Sequence, residues 1–143
     1  MQVKVKRKAR KLWSSMDAAL ARDAIAFGLD ELDLWACDAE LQVILRGDYP
    51  CGCYGDCIDL GHEIVIRISK QAHWLKTLFH ELVHVKQYIN DELELEQGFA
   101  MWKGRLYKGD ETEYWGSPWE VEAREKEEKL YRKYRKYLLT LTA

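Results

Sequence analysis

Hydrophobic and polar positions along the chain follow two different periods, and the switches between them outline the elements. Residues 11 to 28, KLWSSMDAALARDAIAFG, place Leu12, Met16, Ala19, Leu20 and Ile25 at helical spacing in an alanine-rich run. This predicts a first helix, closed by Gly28. LQVILR, 41 to 46, is short and rich in branched residues, and Gly-Asp-Tyr-Pro follows it, so it reads as a strand entering a turn. HEIVIRIS, 62 to 69, sets Ile64, Ile66 and Ile68 against Glu63, Val65 and Arg67, which is the clearest strand pattern in the chain. A second helix is predicted over 71 to 90. QGFAMWKGRLYKG, 97 to 109, holds glycines and aromatics without a steady period and reads as a hairpin or an irregular lid. From 117 to 139 the pattern is helical again, with Ser117 as N-cap and Pro118 in the first turn. Strands cluster ahead of the 71–90 helix and helices dominate after it. That order predicts an α+β fold, a small sheet packed on helices, in one domain spanning 1–143.

Composition supports an ordered chain. Of 143 residues, 48% are hydrophobic and 32% charged, with two prolines, enough to bury one sizeable core. The net charge of -2 hides an uneven distribution: MQVKVKRKARK opens the chain with six basic residues and no acidic one, YRKYRKYLL is basic, and NDELELEQ is acidic. The basic ends read as solvated termini or, alternatively, as a contact for nucleic acid. No apolar run approaches the ~18 residues of a membrane span. The first dozen residues lack the apolar core of a secretory signal, so a cytoplasmic protein with reduced thiols is expected. The cysteines at 37, 51, 53 and 57 follow C-x-C and C-x3-C spacing, unlike a zinc knuckle. They are expected to form no disulfide and to hold no catalytic metal.

Candidate chemistry centres on TLFHELVHVKQY, 77 to 88, where His80, Glu81 and His84 spell H-E-x-x-H. On a helix turning about 100° per residue, Leu78, Leu82 and Ile89 fall within about 60° of Leu75, whereas His80 and His84 fall near 140° and 180°. The two imidazoles therefore share one face, a turn apart, opposite the main apolar stripe. Val83, Val85 and Tyr88 fill the flanks, which predicts a helix buried on most sides with a cleft over its histidine face. Such a pair binds Zn2+ through neutral ring nitrogens, and Glu81 beside it is placed to serve as general base toward a bound water. A catalytic zinc needs a third protein ligand. No histidine follows 84 and no cysteine follows 57, which leaves downstream carboxylates or the upstream His62, His73 and cysteines. SPWEVEAREKE offers Glu120 and Glu122, about 200° apart on a helix, so only one of them can face the metal. Glu120 is favoured, although Ser117 and Glu120 also fit a capping box.

HELVH followed 36 residues later by EVEA resembles the gluzincin group of zinc metallopeptidases, whose H-E-x-x-H is joined by a glutamate ligand from E-x-x-A-D. FHELVHVKQY and SPWEVEA resemble more closely the small metallopeptidases encoded by tailed phages, which would make the compartment a host cytoplasm. The resemblance covers about residues 62 to 127. Arg124 stands where the group has aspartate, and Gln87 and Asn90 replace the Gly and His of the metzincin extension. It implies a minimal zincin fold, His80, His84 and Glu120 as zinc ligands, Glu81 as base, and a peptide or protein substrate. It also implies that strand 62–69 lies beside an extended substrate and that an oxyanion is stabilised by a side chain such as Tyr114, with Tyr107 as the alternative. Trp102, Trp115 and Trp119 are expected in the core or the cleft wall. Two further readings stand beside this one. The first is a non-catalytic zinc-binding module. The second is a SprT-like, nucleic-acid-associated peptidase, which the basic ends favour and the missing downstream histidine disfavours.

Overall fold

The computed structural model describes residues 1–47, 53–108 and 116–141. The elements are β1 (Gln2–Arg7), α1 (Ser15–Glu31), β2 (Glu40–Arg46), β3 (Gly55–Asp59), β4 (Ile64–Ser69), α2 (Trp74–Ile89), β5 (Leu93–Glu96), β6 (Phe99–Trp102), β7 (Arg105–Lys108) and α3 (Pro118–Leu141). The fold is α+β. A mixed sheet has the order β1-β2-β4-β3, in which β1, β2 and β4 run parallel and β3 pairs antiparallel to β4. A separate antiparallel meander has the order β5-β6-β7. Among the described residues, no helix is long and apolar enough to cross a membrane.

The mixed sheet is two-sided. Leu41, Val43 and Leu45 of β2 and Ile64, Ile66 and Ile68 of β4 form its buried face, as alternation requires. Val3 and Val5 of β1 pack at its margin, while Lys4 and Lys6 point outward. The basic opening segment is therefore a strand and not merely a solvated tail. Its parallel pairing with β2 spans α1 in sequence, so no local turn signal announces it.

Two expectations need correction. The first helix starts later than predicted, at an N-cap Ser14 whose hydroxyl accepts from the Asp17 amide while the Asp17 carboxylate accepts from the Ser14 amide. Its buried face is Ala18, Ala21, Ala24, Ile25, Gly28 and Leu29, and Leu12 and Met16 are exposed. Gly28 does not close the helix. It lies inside α1, where a Cβ would come within 2.8 Å of Leu82 on α2, so the small residues serve close helix approach. The second correction concerns β4. It lies between β2 and β3 and has no free edge, so an extended ligand cannot pair with it. The edge strand beside β4 is β3, missed in the sequence because Gly-Asp-Cys-Ile-Asp carries a single β-branched residue.

α2 is sandwiched as predicted. Leu78, Phe79, Leu82, Val83 and Val85 are all fully buried, and α1, α3 and the sheet strands β3 and β4 all pack on α2. α3 runs antiparallel to α2, since Lys76 meets Glu128 and Gln87 meets Trp119. Further along, α3 is tied to α1: the buried Tyr134 hydroxyl donates to Asp23 at 2.7 Å and its ring meets Phe27 and Phe79. Residues 97 to 108 form the second half of the meander, whose small core is Leu93, Ala100 and Trp102 under Trp119.

β3 can lie against α2 because Gly55 has no side chain: a Cβ there would stand 2.9 Å from Thr77 Cγ2 and 3.0 Å from the Arg67 carbonyl. Gly55→Ala is expected to lower stability by about 1–3 kcal/mol through overpacking. Gly116→Ala, whose Cβ meets nothing, should stay within about 0.5 kcal/mol of the parent. Urea midpoints at unchanged slope measure both.

Candidate metal centre

His80 and His84 project from α2 toward the start of α3, their rings 5.0 Å apart between centroids. There they meet Glu120. The Nε2 of His80 lies 3.1 Å from one Glu120 oxygen and the Nε2 of His84 lies 3.0 Å from the other. The capping-box alternative for Glu120 is not adopted: its carboxylate is turned to the histidines, and Glu120 is only 2% exposed. One ligand atom from each of the three residues lies within 4.8 Å of the others, which is a spacing for a single ion.

The partners behind the rings decide what the front nitrogens are. Gln87 donates its amide nitrogen to the Trp119 carbonyl at 2.9 Å and to Glu122 at 3.1 Å, both acceptors. Its oxygen therefore faces His84 Nδ1 at 2.7 Å, so Nδ1 must carry the proton. His80 Nδ1 lies 2.8 Å from Glu127, a carboxylate that can only accept, and so it donates as well. In the neutral rings both Nε2 atoms are then bare lone pairs aimed at the lone pairs of Glu120. Three acceptors around one point are compatible only with a cation, either a metal or protons on the imidazoles. The donor set, two imidazole nitrogens and one carboxylate with each ring braced from behind, fits a divalent transition metal.

Electrostatics say the same. Burial alone would lower the pKa of His80, but the hydrogen bonds to Glu120 and Glu127 outweigh it and hold it up at about 10. For His84, burial also lowers the value, and Glu120, Glu81 and Gln87 together raise it by more. Burial would raise Glu120, yet the two imidazoles bring it down to about 2. The cavity selects positive charge. Glu81 is different: burial dominates and pushes its carboxyl up to about 7, against the pull of His84 and His80. It is 6% exposed and lies next to His80 in sequence, a carboxylate kept apart from the ligand trio and near the value of a proton carrier at neutral pH.

The structure brings together His80, His84 and Glu120 and places Glu81 beside them. Glu122 does not join them. It accepts from Lys86 at 3.0 Å and from Gln87, and so fixes the amide that orients His84. His62 and His73 are exposed and belong to no such cluster. Tyr107 is packed in a T-shaped contact with Trp119 and under Arg105. Tyr114, Trp115 and Cys51 lie outside the described residues. Cys37 and Cys57 are free thiols. Sequence reasoning missed the supporting roles of Gln87 and Glu127. Glu127 follows Glu120 by seven residues, two helical turns on the same face, and that spacing was the available signal. Comparisons of the chain with protein-family models, with curated proteins and with solved structures found no match.

Glu120→Ala is expected to abolish tight binding of a divalent transition metal, whereas Glu122→Ala should retain most of it. Glu127→Ala should lower affinity by about 10- to 100-fold by releasing the His80 ring. Competition against a chromogenic chelator ranks the three. Unchanged affinity in Glu120→Ala would reject the ligand assignment.

Proposed function

We propose that this chain is a zinc-dependent peptidase of minimal zincin type, with His80, His84 and Glu120 as ligands and Glu81 as general base. The observation that carries the reading is the convergence of three acceptors, both imidazoles braced from behind, next to a buried carboxylate that is not one of them. Zinc, when bound, supplies Lewis acidity toward a peptide carbonyl and lowers the pKa of a water to about 7. The chain supplies the rest. Glu127 and Gln87 hold the imidazoles in the tautomer that presents Nε2. Glu81 takes a proton from the attacking water and returns it to the departing amine, a role suited to a carboxyl whose pKa lies near neutrality. A purely structural zinc site is usually closed by a fourth protein ligand and needs no such base. The presence of Glu81 therefore favours catalysis over a non-catalytic module.

A nucleic-acid-associated setting is favoured by one further observation. Lys6, Lys8, Arg10 and Arg22 line a single hollow beside β1, and Lys4 continues that surface across the outer face of the sheet. Glu40 and Glu63 lie at its far end. Charge of one sign gathered on a protein of net charge -2 suits the phosphate backbone.

Glu81→Gln is expected to keep zinc, fold and peptide affinity while lowering turnover by about 10²- to 10⁴-fold. Zinc content, the thermal transition, anisotropy of a labelled peptide and cleavage of an unfolded-protein mixture report on the four. Equal, chelator-sensitive cleavage by both proteins would sink the mechanism. For the second setting, double-stranded DNA should bind with an affinity that falls steeply as salt rises. Reversing Lys6, Lys8 and Arg10 to Glu should flatten that slope by about 3; an unchanged slope removes the basic surface from consideration.

A further inference from the structure

The edge strand β3 and the meander strand β5 border one groove of about 520 Å³. Each is the terminal strand of its sheet, and among the described residues no strand pairs with the outer edge of either. The groove starts one helical turn beyond His84, at Tyr88, which shares that histidine's face of α2 and lines the groove floor with Cys57 of β3. It is thus continuous with the helix that carries His80 and His84, and both walls present an outer strand edge to which no strand is paired among the described residues.

Its lining is one-signed. Asp59, Asp91, Glu94 and Glu96 contribute four carboxylates, and no Lys, Arg or His is among the lining residues. Lys86 and Lys103, on the flanking elements, are turned to Glu92. Between the carboxylates, Leu95 is 53% exposed and Ile58 36%, apolar surface without a covering side chain. An edge, an apolar strip and a row of carboxylates are what a long cationic side chain needs, since its methylene stem covers apolar surface while its head reaches the acid.

We infer that the groove between β3 and β5 binds an extended polypeptide segment rich in Lys or Arg, added along the edge of β3 with its cationic side chains on Asp59, Asp91, Glu94 and Glu96. That the bound segment is also the substrate rests on the peptidase reading; that it binds does not. A neutral or acidic segment can make the same backbone hydrogen bonds but leaves the carboxylates facing an uncharged or like-charged chain, so selection is by charge pattern and not by one deep pocket.

The test uses zinc-loaded Glu81→Gln protein and two fluorescent ten-residue probes of equal apolar content, one alternating Lys with Val and one alternating Glu with Val. Anisotropy should show the basic probe bound and the acidic probe not, with affinity falling as salt rises. The double change Glu94→Lys with Glu96→Lys, both exposed, should weaken the basic probe by about tenfold. Wild-type cleavage of the same probes separates the two claims. Cleavage without charge preference would overturn the groove assignment and leave the peptidase intact. Binding of the basic probe, weakened by the double change but never followed by cleavage, would support the groove and count against the peptidase. Equal binding of both probes, binding of neither, or indifference to the double change would refute the inference.

Discussion

Three hydrogen-bond acceptors aimed at one buried point repel one another, and the rest of the molecule holds them there. The constraint comes from behind the rings. With Gln87 committed to the Trp119 carbonyl and Glu127 unable to donate, both Nδ1 atoms must give their protons away from the centre. The front nitrogens are then fixed as lone pairs, and positive charge at the centre becomes a condition of its stability. Two helices must stand at a set spacing for this to hold. α3 is fastened at its far half to α1 by Tyr134 and Asp23, and α1 approaches α2 closely through alanines and Gly28. The small-residue face of α1, remote from the histidines, is in this sense part of the centre.

Burial sorts the carboxylates by role. Glu120 and Glu81 are similarly buried, yet their acidities move in opposite directions because one touches both imidazoles and the other does not. Glu122 and Glu127 sit at intermediate depth and are spent on orientation: one holds a glutamine amide, the other a ring nitrogen. Four glutamates near one point thus divide by what each contacts: Glu120 faces both imidazoles, Glu81 is buried apart from them, and Glu122 and Glu127 hold the groups that orient the rings.

The trio was legible in the sequence because helical spacing is rigid: His80 and His84 had to share a face, and Glu120 was favoured among the remaining candidates by the likeness of EVEA to a glutamate-ligand motif. The face of α2 and the start of α3 were legible for the same reason. Sheet topology was not. β1 carries lysines on its outer face and so resembles a charged tail, and its partner β2 lies beyond a whole helix. β3 lacks the branched residues that mark strands, and its place at the sheet edge is a property of the fold that no local pattern encodes. The phase of α1 was misjudged because alanine marks a buried stripe as weakly as it marks an exposed one. Arg124 stands where the resemblance leads one to expect a supporting aspartate, and Glu127, a turn later, holds the His80 ring instead.

The meander β5–β7 hangs between the two helices that carry the ligands, with a separate core of Leu93, Ala100 and Trp102 clasped by Tyr88 and Trp119. No residue of it belongs to the metal trio. That hairpin can therefore change in length or charge while His80, His84 and Glu120 keep their places, provided Tyr88 and Trp119 still find an apolar surface to close on. The meander is where a graft from another sequence would disturb that trio least.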